Sequence, residues 1–179
     1  MILKADIVVL NQKDLDETTL VKIARLKQQW WPYPLESQTA YLKNLPPSEQ
    51  HILGLVDEGI VSYLRLTRRV ARAKGKSFQV AGISTVCTDK KHQKKGLGRE
   101  VVLAVTDLVD CKQFDFALLQ SSKEFVEFYL KCGFRETSIR FYSLDKKQSQ
   151  LAVFQEPCVM MYPDQAFPLK EMEIEGGGF

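Results

Sequence analysis

The chain has 179 residues, 45% of them hydrophobic and 26% charged, with a formal net charge of +3. That length can bury a substantial core without staples. No apolar run reaches the ~20 residues that span a bilayer, and the mild charge, without a broad basic face interleaved with aromatics, argues against nucleic-acid binding.

Taken in chain order, Ile2 to Leu10 alternates weakly and is rich in β-branched residues, which predicts a first strand. Asp14-Leu15-Asp16-Glu17 offers a helix N-cap with an acid three residues on. Leu20, Ile23, Ala24 and the Trp30/Trp31 pair then recur at near-helical spacing, marking one buried face until Pro32 and Pro34 stop the helix. A second short helix is expected over Ser37 to Leu45, closed by Pro46-Pro47. His51–Val56 and Ile60–Thr67 read as strands joined by the hairpin signal Asp57-Glu58-Gly59. The basic stretch Arg68 to Lys76 reads as a solvated loop, followed by a strand from Phe78 to Thr88.

From Glu100 the pattern becomes helical, with Val101, Val102, Val105, Leu108 and Val109 at three- and four-residue steps. Phe114–Leu119 reads as a buried strand and Lys123–Cys132 as a helix with Gly133 as its C-cap. Ile139–Leu144 and Cys158–Tyr162 are the last expected strands. The tail beyond Pro163, ending Gly176-Gly177-Gly178-Phe179, is expected to be flexible until tied down. The reading is mixed α/β, of α+β character, in a single domain over 1–179.

Cys87, Cys111, Cys132 and Cys158 form no C-x-x-C pair and sit among apolar neighbours, so they are expected as buried structural thiols. With only His51 and His92 available, neither a metal site nor a Cys-His nucleophile pair is expected. The amino terminus lacks the basic start and cleavage site of a signal peptide, so the expected location is cytoplasmic.

The informative stretch runs from the strand Phe78–Thr88 through Gln93-Lys94-Lys95-Gly96-Leu97-Gly98 into a helix. A strand feeding a helix through glycines exposes unpaired backbone N–H groups, which attract anions together with the helix dipole. Gly96 and Gly98 allow close approach to a phosphate, and Lys94, Lys95 and Arg99 add positive charge. A dinucleotide fingerprint is excluded because Val101 occupies its third glycine position, and no P-loop sequence occurs. Taken alone, the two glycines also fit a plain tight turn.

The loop matches the Q/R-x-x-G-x-G/A signature of the Gcn5-related N-acetyltransferases (GNAT). Downstream, Phe128-Tyr129-Leu130-Lys131-Cys132-Gly133-Phe134 resembles their second motif, F-Y-x-x-x-G-F. The resemblance implies a mostly antiparallel sheet of about six to seven strands flanked by about four helices. It divides the chain into acceptor-side helices over 1–50, an acetyl-CoA-binding core over 51–134, and C-terminal strands and tail over 135–179. It implies acetyl-CoA as co-substrate, with Val86, Cys87 and Thr88 holding the pantetheine arm, Gln93 to Arg99 the pyrophosphate, and Tyr129 protonating the departing thiolate. Tyr129 also fits a core aromatic on an amphipathic helix.

The span His51 to Phe134 further resembles the aminoglycoside 2'-N-acetyltransferases, echoed by Ala117-Leu118-Leu119-Gln120-Ser121-Ser122 and Val159-Met160-Met161-Tyr162-Pro163. That likeness implies an amine-bearing, aminoglycoside-like small molecule, with the glycine-rich chain end approaching it. It places Ser84 where those enzymes carry an acid, and Glu156 at an acidic substrate-contact position, making Glu156 a candidate base or amine contact. Trp30 and Trp31 fall where the family shapes its acceptor pocket, or else pack in the core. The alternative function is a catalytically silent CoA-binding sensor or interaction module. The assembly state, including a homodimer, is left open.

Overall fold

The computed structural model describes residues 4–144, 153–163 and 169–176. Its first three strands, β1 (Asp6–Asn11), β2 (Gln50–Val56) and β3 (Gly59–Ala73), pair antiparallel in succession. Asp57 and Glu58 join β2 to β3 with φ of 47° and 61°. Two consecutive positive φ values make the tight turn whose twist suits a hairpin. The same solution recurs at Lys74 and Gly75, φ 48° and 75°, which lead into β4 (Lys76–Thr88).

That second hairpin corrects the reading of Arg68 to Lys76 as a loop. Residues 68–73 continue β3, with Ala71 fully buried and Arg68 and Arg72 exposed. Charges on the outward-facing positions hid the period-two alternation.

The helices are α1 (Glu17–Gln28), α2 (Leu35–Lys43), α3 (Leu97–Asp110) and α4 (Val126–Lys131). Asp16 caps α1 by accepting a hydrogen bond from the Thr19 amide at 2.6 Å. The chain leaves the helix before the tryptophan pair. Trp30 and Trp31 are 37% and 38% exposed, so they do not extend the buried face of α1 as the spacing suggested. Pro34 precedes α2 and sets its start.

The remaining strands are β5 (Phe116–Ser121), β6 (Arg135–Glu136), β7 (Arg140–Ser143), β8 (Cys158–Tyr162) and β9 (Glu171–Ile174). The main strand order is β1-β2-β3-β4-β5-β8-β6, with β9 pairing both β3 and β7. Only the β4–β5 and β7–β9 ladders are parallel among the registers observed. This is the expected mixed α/β architecture with two more strands than the seven read from sequence.

Both extra strands are short and evade periodicity. β6 spans two residues. β9 lies in the tail expected to be flexible, yet Met172 and Ile174 are buried and Ala71↔Ile174 pairs it to β3. The last residues of the glycine-rich end, 177–179, lie outside the described residues, as do residues 2 and 3 of the first predicted strand.

The chain divides into two compact units. The first comprises Met1–Leu66 and Thr85–Ala104. Its core joins Leu20, Ile23, Ala24 and Leu42 of the first two helices to Leu53, Tyr63 and Cys87 of the strands. The second comprises Thr67–Ser84 and Val105–Phe179, with a core of Val80, Phe116, Leu118, Phe141, Met161, Met172 and Ile174. Cys87, Cys132 and Cys158 are buried as expected, but Cys111 is exposed just beyond α3. No helix among the described residues is long and apolar enough to cross a membrane.

Candidate active site

In the first unit, β4 ends in an unusual backbone. Thr85 adopts φ 55°, a left-handed conformation that a β-branched residue rarely accepts. Such strain persists only where the surroundings impose it, and it clusters at functional sites. Val86, Cys87 and Thr88 follow, and the Asp89 amide donates to the Val61 carbonyl at 2.8 Å.

The ladder observed between β4 and β5 ends at Gly82↔Leu118, before these residues. Cys87 is buried among apolar neighbours, and burial pushes its thiol up to about 12. It is therefore a neutral wall residue at ordinary pH, unsuited to carrying an acyl group.

After a 3₁₀ turn at Lys90–His92, the glycine loop leads into α3. Gln93, Lys94, Lys95 and Gly96 are exposed, while Leu97 is 1% exposed and packs with Ala5 and Val61. Lys94 (φ 59°) and Gly96 (φ 88°) turn the chain, and a Cβ at Gly96 would meet nothing within 4 Å. The Gly96 carbonyl accepts from the Arg99 and Glu100 amides, fixing where the helix begins. The first amides of a helix lack intrahelical acceptors and face whatever lies before it. The Glu100 carboxylate accepts the Ala5 amide at 2.9 Å and ties this helix end to the start of β1.

Two residues that sequence reasoning passed over hold the strand-to-loop junction. Gln29 donates to Asp89 Oδ2 at 2.8 Å and accepts the Lys90 amide at 2.9 Å. Asp89 Oδ1 accepts the Lys91 amide at 2.9 Å and lies 3.0 Å from His92 Nδ1. Burial raises the Asp89 carboxyl, but the hydrogen bonds from Gln29, His92 and Lys91 prevail and hold it below its usual value. A lone Gln at a helix end carries no motif, so only the fold discloses this role.

The tryptophan pair separates. Trp30 donates its indole N–H to the Thr88 carbonyl at 2.9 Å, and Lys90 lies over its ring. Trp31 instead lines a cavity of about 350 Å³ with Lys27, Tyr33, Ser37, Gln38, Tyr41 and Thr85. Gln38 donates to the Trp31 carbonyl at 2.6 Å and braces the turn between α1 and α2. Lys27 is 7% exposed, with its Nζ 4.9 Å from the centre of the Tyr41 ring.

In the second unit the F-Y-x-x-x-G-F stretch forms a helix terminus in which Tyr129, Gly133 and Phe134 act together. α4 ends with Gly133 at φ 92°. The Phe134 amide donates to the Tyr129 carbonyl at 3.1 Å, and the Gly133 amide to the Leu130 carbonyl at 3.0 Å. This is the doubly bonded glycine C-terminus, with Tyr129 and Phe134 in the positions that meet across it. Their rings lie 6.2 Å apart, edge to face. A Cβ on Gly133 would come within 3.1 Å of the Tyr162 ring.

Tyr129 is 8% exposed, and its hydroxyl has no hydrogen-bond partner among the described residues. Burial pushes its phenol up to about 12, with Cys132 adding to the effect. The helix is shorter than the predicted span, because Lys123–Phe125 is a 3₁₀ turn. Glu156 is exposed before β8, with its amide held by Gln120 Oε1 at 3.0 Å. Ser84 is half-buried in β4. A groove of about 490 Å³ in this unit, bordered by Arg72, Lys74, Glu171 and Glu173, carries both signs of charge and none of the predicted site residues.

A family model described as an acetyltransferase (GNAT) domain matches residues 17–144. No curated protein matches the sequence. Among solved structures, the GNAT family N-acetyltransferase YhbS of Escherichia coli, in complex with CoA, aligns with a TM-score of 0.63 at 14% identity, covering 96% of this chain and 89% of that one. An acyl-CoA N-acyltransferase from Pseudomonas aeruginosa aligns at 0.59 and 17% identity, covering 87% and 97%. A conserved protein of unknown function from Enterococcus faecalis V583 aligns at 0.61 and 16% identity; 74% of this chain covers 33% of that longer one. At these identities the structural likeness establishes the fold. With the family match spanning most of the described core, the chain belongs to the GNAT acetyltransferase domain family.

Proposed function

We propose that the protein is an N-acetyltransferase that moves the acetyl group of acetyl-CoA to a primary amine of a small molecule by direct attack in a ternary complex. The observation that carries this reading is the open amide end of α3 behind Gly96, flanked by Lys94, Lys95 and Arg99. Amide donors, helix dipole and cationic side chains all favour a pyrophosphate there. Leu97 contributes through its backbone alone, since its side chain is in the core. The amides of Val86, Cys87 and Thr88 suit the pantetheine arm and the oxyanion of the thioester.

The chemistry needs few side chains. The ammonium releases one proton to solvent, its nitrogen attacks the thioester carbonyl, and the C–S bond breaks. Tyr129 supplies a proton to the CoA thiolate, and the second nitrogen proton restores the phenol through solvent. A phenol held up to about 12 stays protonated at neutral pH, which suits that role. Holding both substrates in line supplies much of the remaining acceleration. Glu156, exposed before β8, is proposed as an amine contact or candidate base.

The aminoglycoside-type acceptor gains little support. A polycation calls for several carboxylates, and the cavity of the first unit is lined by a lysine, aromatic residues and uncharged polar groups. The test is release of free CoA from acetyl-CoA across a panel of aminoglycosides, polyamines, amino acids and peptide amino termini. Amine-dependent release supports the enzyme. Release at the background hydrolysis rate with every amine, despite CoA binding, would leave the silent sensor.

A further inference from the structure

The cavity beside β4 holds an uncompensated positive charge. Lys27 belongs to the buried face of α1 and is 7% exposed; its carbonyl accepts the Trp30 and Trp31 amides, yet its ammonium makes no hydrogen bond or ion pair with a described residue. Its neighbours do not neutralise it. Tyr41 offers only its ring face, and the Tyr41 hydroxyl accepts from Arg65 at 2.6 Å. Arg65 brings a second positive charge, and its own counter-charge is the buried Glu49, 3.5 Å away. The thiol of Cys87 stays neutral at ordinary pH and supplies no anion. Burial lowers the Lys27 pKa, because a partly desolvated ammonium without a counter-ion is disfavoured, and an anionic group bound in the cavity would offset that cost.

We propose that this cavity is the acceptor subsite and that Lys27 selects amines which also carry a carboxylate, the amino-acid class. The inference rests on the acetyltransferase reading for the identity of the second substrate. Lys27 would bind the carboxylate, while Trp31 and Tyr41 offer apolar faces to the body of the molecule and Thr85 borders the cavity from the strained end of β4.

The experiment compares an aromatic α-amino acid with its decarboxylated amine, first by calorimetric binding to the CoA-loaded protein, then by turnover of acetyl-CoA. The wild type should favour the amino acid by roughly tenfold to a hundredfold, the range of a charge-assisted hydrogen bond. Lys27→Met, which keeps the bulk and removes the charge, should erase that preference while leaving acetyl-CoA affinity unchanged. Lys27→Arg, a second folded control, should retain part of it. Equal binding of the two amines to the wild type, or a preference that survives in Lys27→Met, would overturn the subsite. Selective binding of the amino acid with no turnover of any amine would sustain the subsite and sink the acetyltransferase reading instead.

Discussion

The glycine loop and the helix-lined cavity sit in the same compact unit and are built on opposite principles. The loop presents backbone: two glycines, a left-handed lysine and the open end of α3, with Lys94 and Lys95 exposed. The cavity presents side chains drawn from α1, α2 and β4, from Lys27 to Thr85. Backbone donors are nearly independent of residue type, so what the loop demands is the absence of side chains. Side chains are the substance of the cavity, so residue identity decides what it holds. Substitutions should separate the two regions.

The largest effect is expected from Gly98→Glu. A carboxylate in the first turn of α3 would fill the space before the amides and oppose a pyrophosphate, lowering acetyl-CoA affinity by about 10³-fold or more. The acceptor affinity of the cavity should stay within about twofold. Calorimetric titration with CoA decides it, and retained CoA affinity would remove the loop from the cofactor site.

Next comes Tyr129→Phe, expected to lower kcat by about 10²-fold with little change in acetyl-CoA affinity. The pH dependence carries a sign. The acid must be protonated, and its folded value is raised to about 12 by burial, so deprotonation of Tyr129 produces no falling limb between about pH 6 and about pH 10. The rate should rise over that range as the amine loses its proton. A wild-type rate that declines above pH 8 would assign the acid to another group. An unchanged kcat in Tyr129→Phe would return the ring to a purely structural part.

Trp31→Ala should act on the cavity alone, raising the acceptor KM by about tenfold through lost aromatic contact. Acetyl-CoA KM should not move. Trp30 is a contrast one residue away, because its indole holds the Thr88 carbonyl rather than the cavity.

What could be read from sequence follows the same division. The loop and the Phe128–Phe134 stretch are each contiguous in sequence, and several of their residues answer a local backbone demand: Gly96 and Gly133 their positive φ, and Phe134 the contact with Tyr129 across the helix end. Local demands leave local signatures. Lys27, Gln38 and Thr85 meet only through tertiary packing, and a lysine on the buried face of a helix looks like a break in the pattern rather than a site. β9 escaped for a related reason. Glu171-Met172-Glu173-Ile174 alternates over only four residues, and its pairing partners lie thirty-one positions back in β7 and about a hundred back in β3.

Gln29→Ala gives the smallest effect and the most searching test, because Gln29 is where the two regions are joined. It ends α1, two residues before the Trp31 wall, and its amide grips both Asp89 and the Lys90 backbone ahead of the glycine loop. Removing it deletes two hydrogen bonds and leaves Asp89 with the Lys91 amide and His92. Each such bond contributes about 1 kcal/mol net, less in this partly exposed setting. The expected result is a rise of roughly threefold to tenfold in both KM values, with kcat nearly unchanged. Gly98→Glu should move only the cofactor constant and Trp31→Ala only the acceptor constant. If Gln29→Ala shifts just one of them, the strand-to-loop junction does not couple the regions, and the two halves of the site are tuned independently.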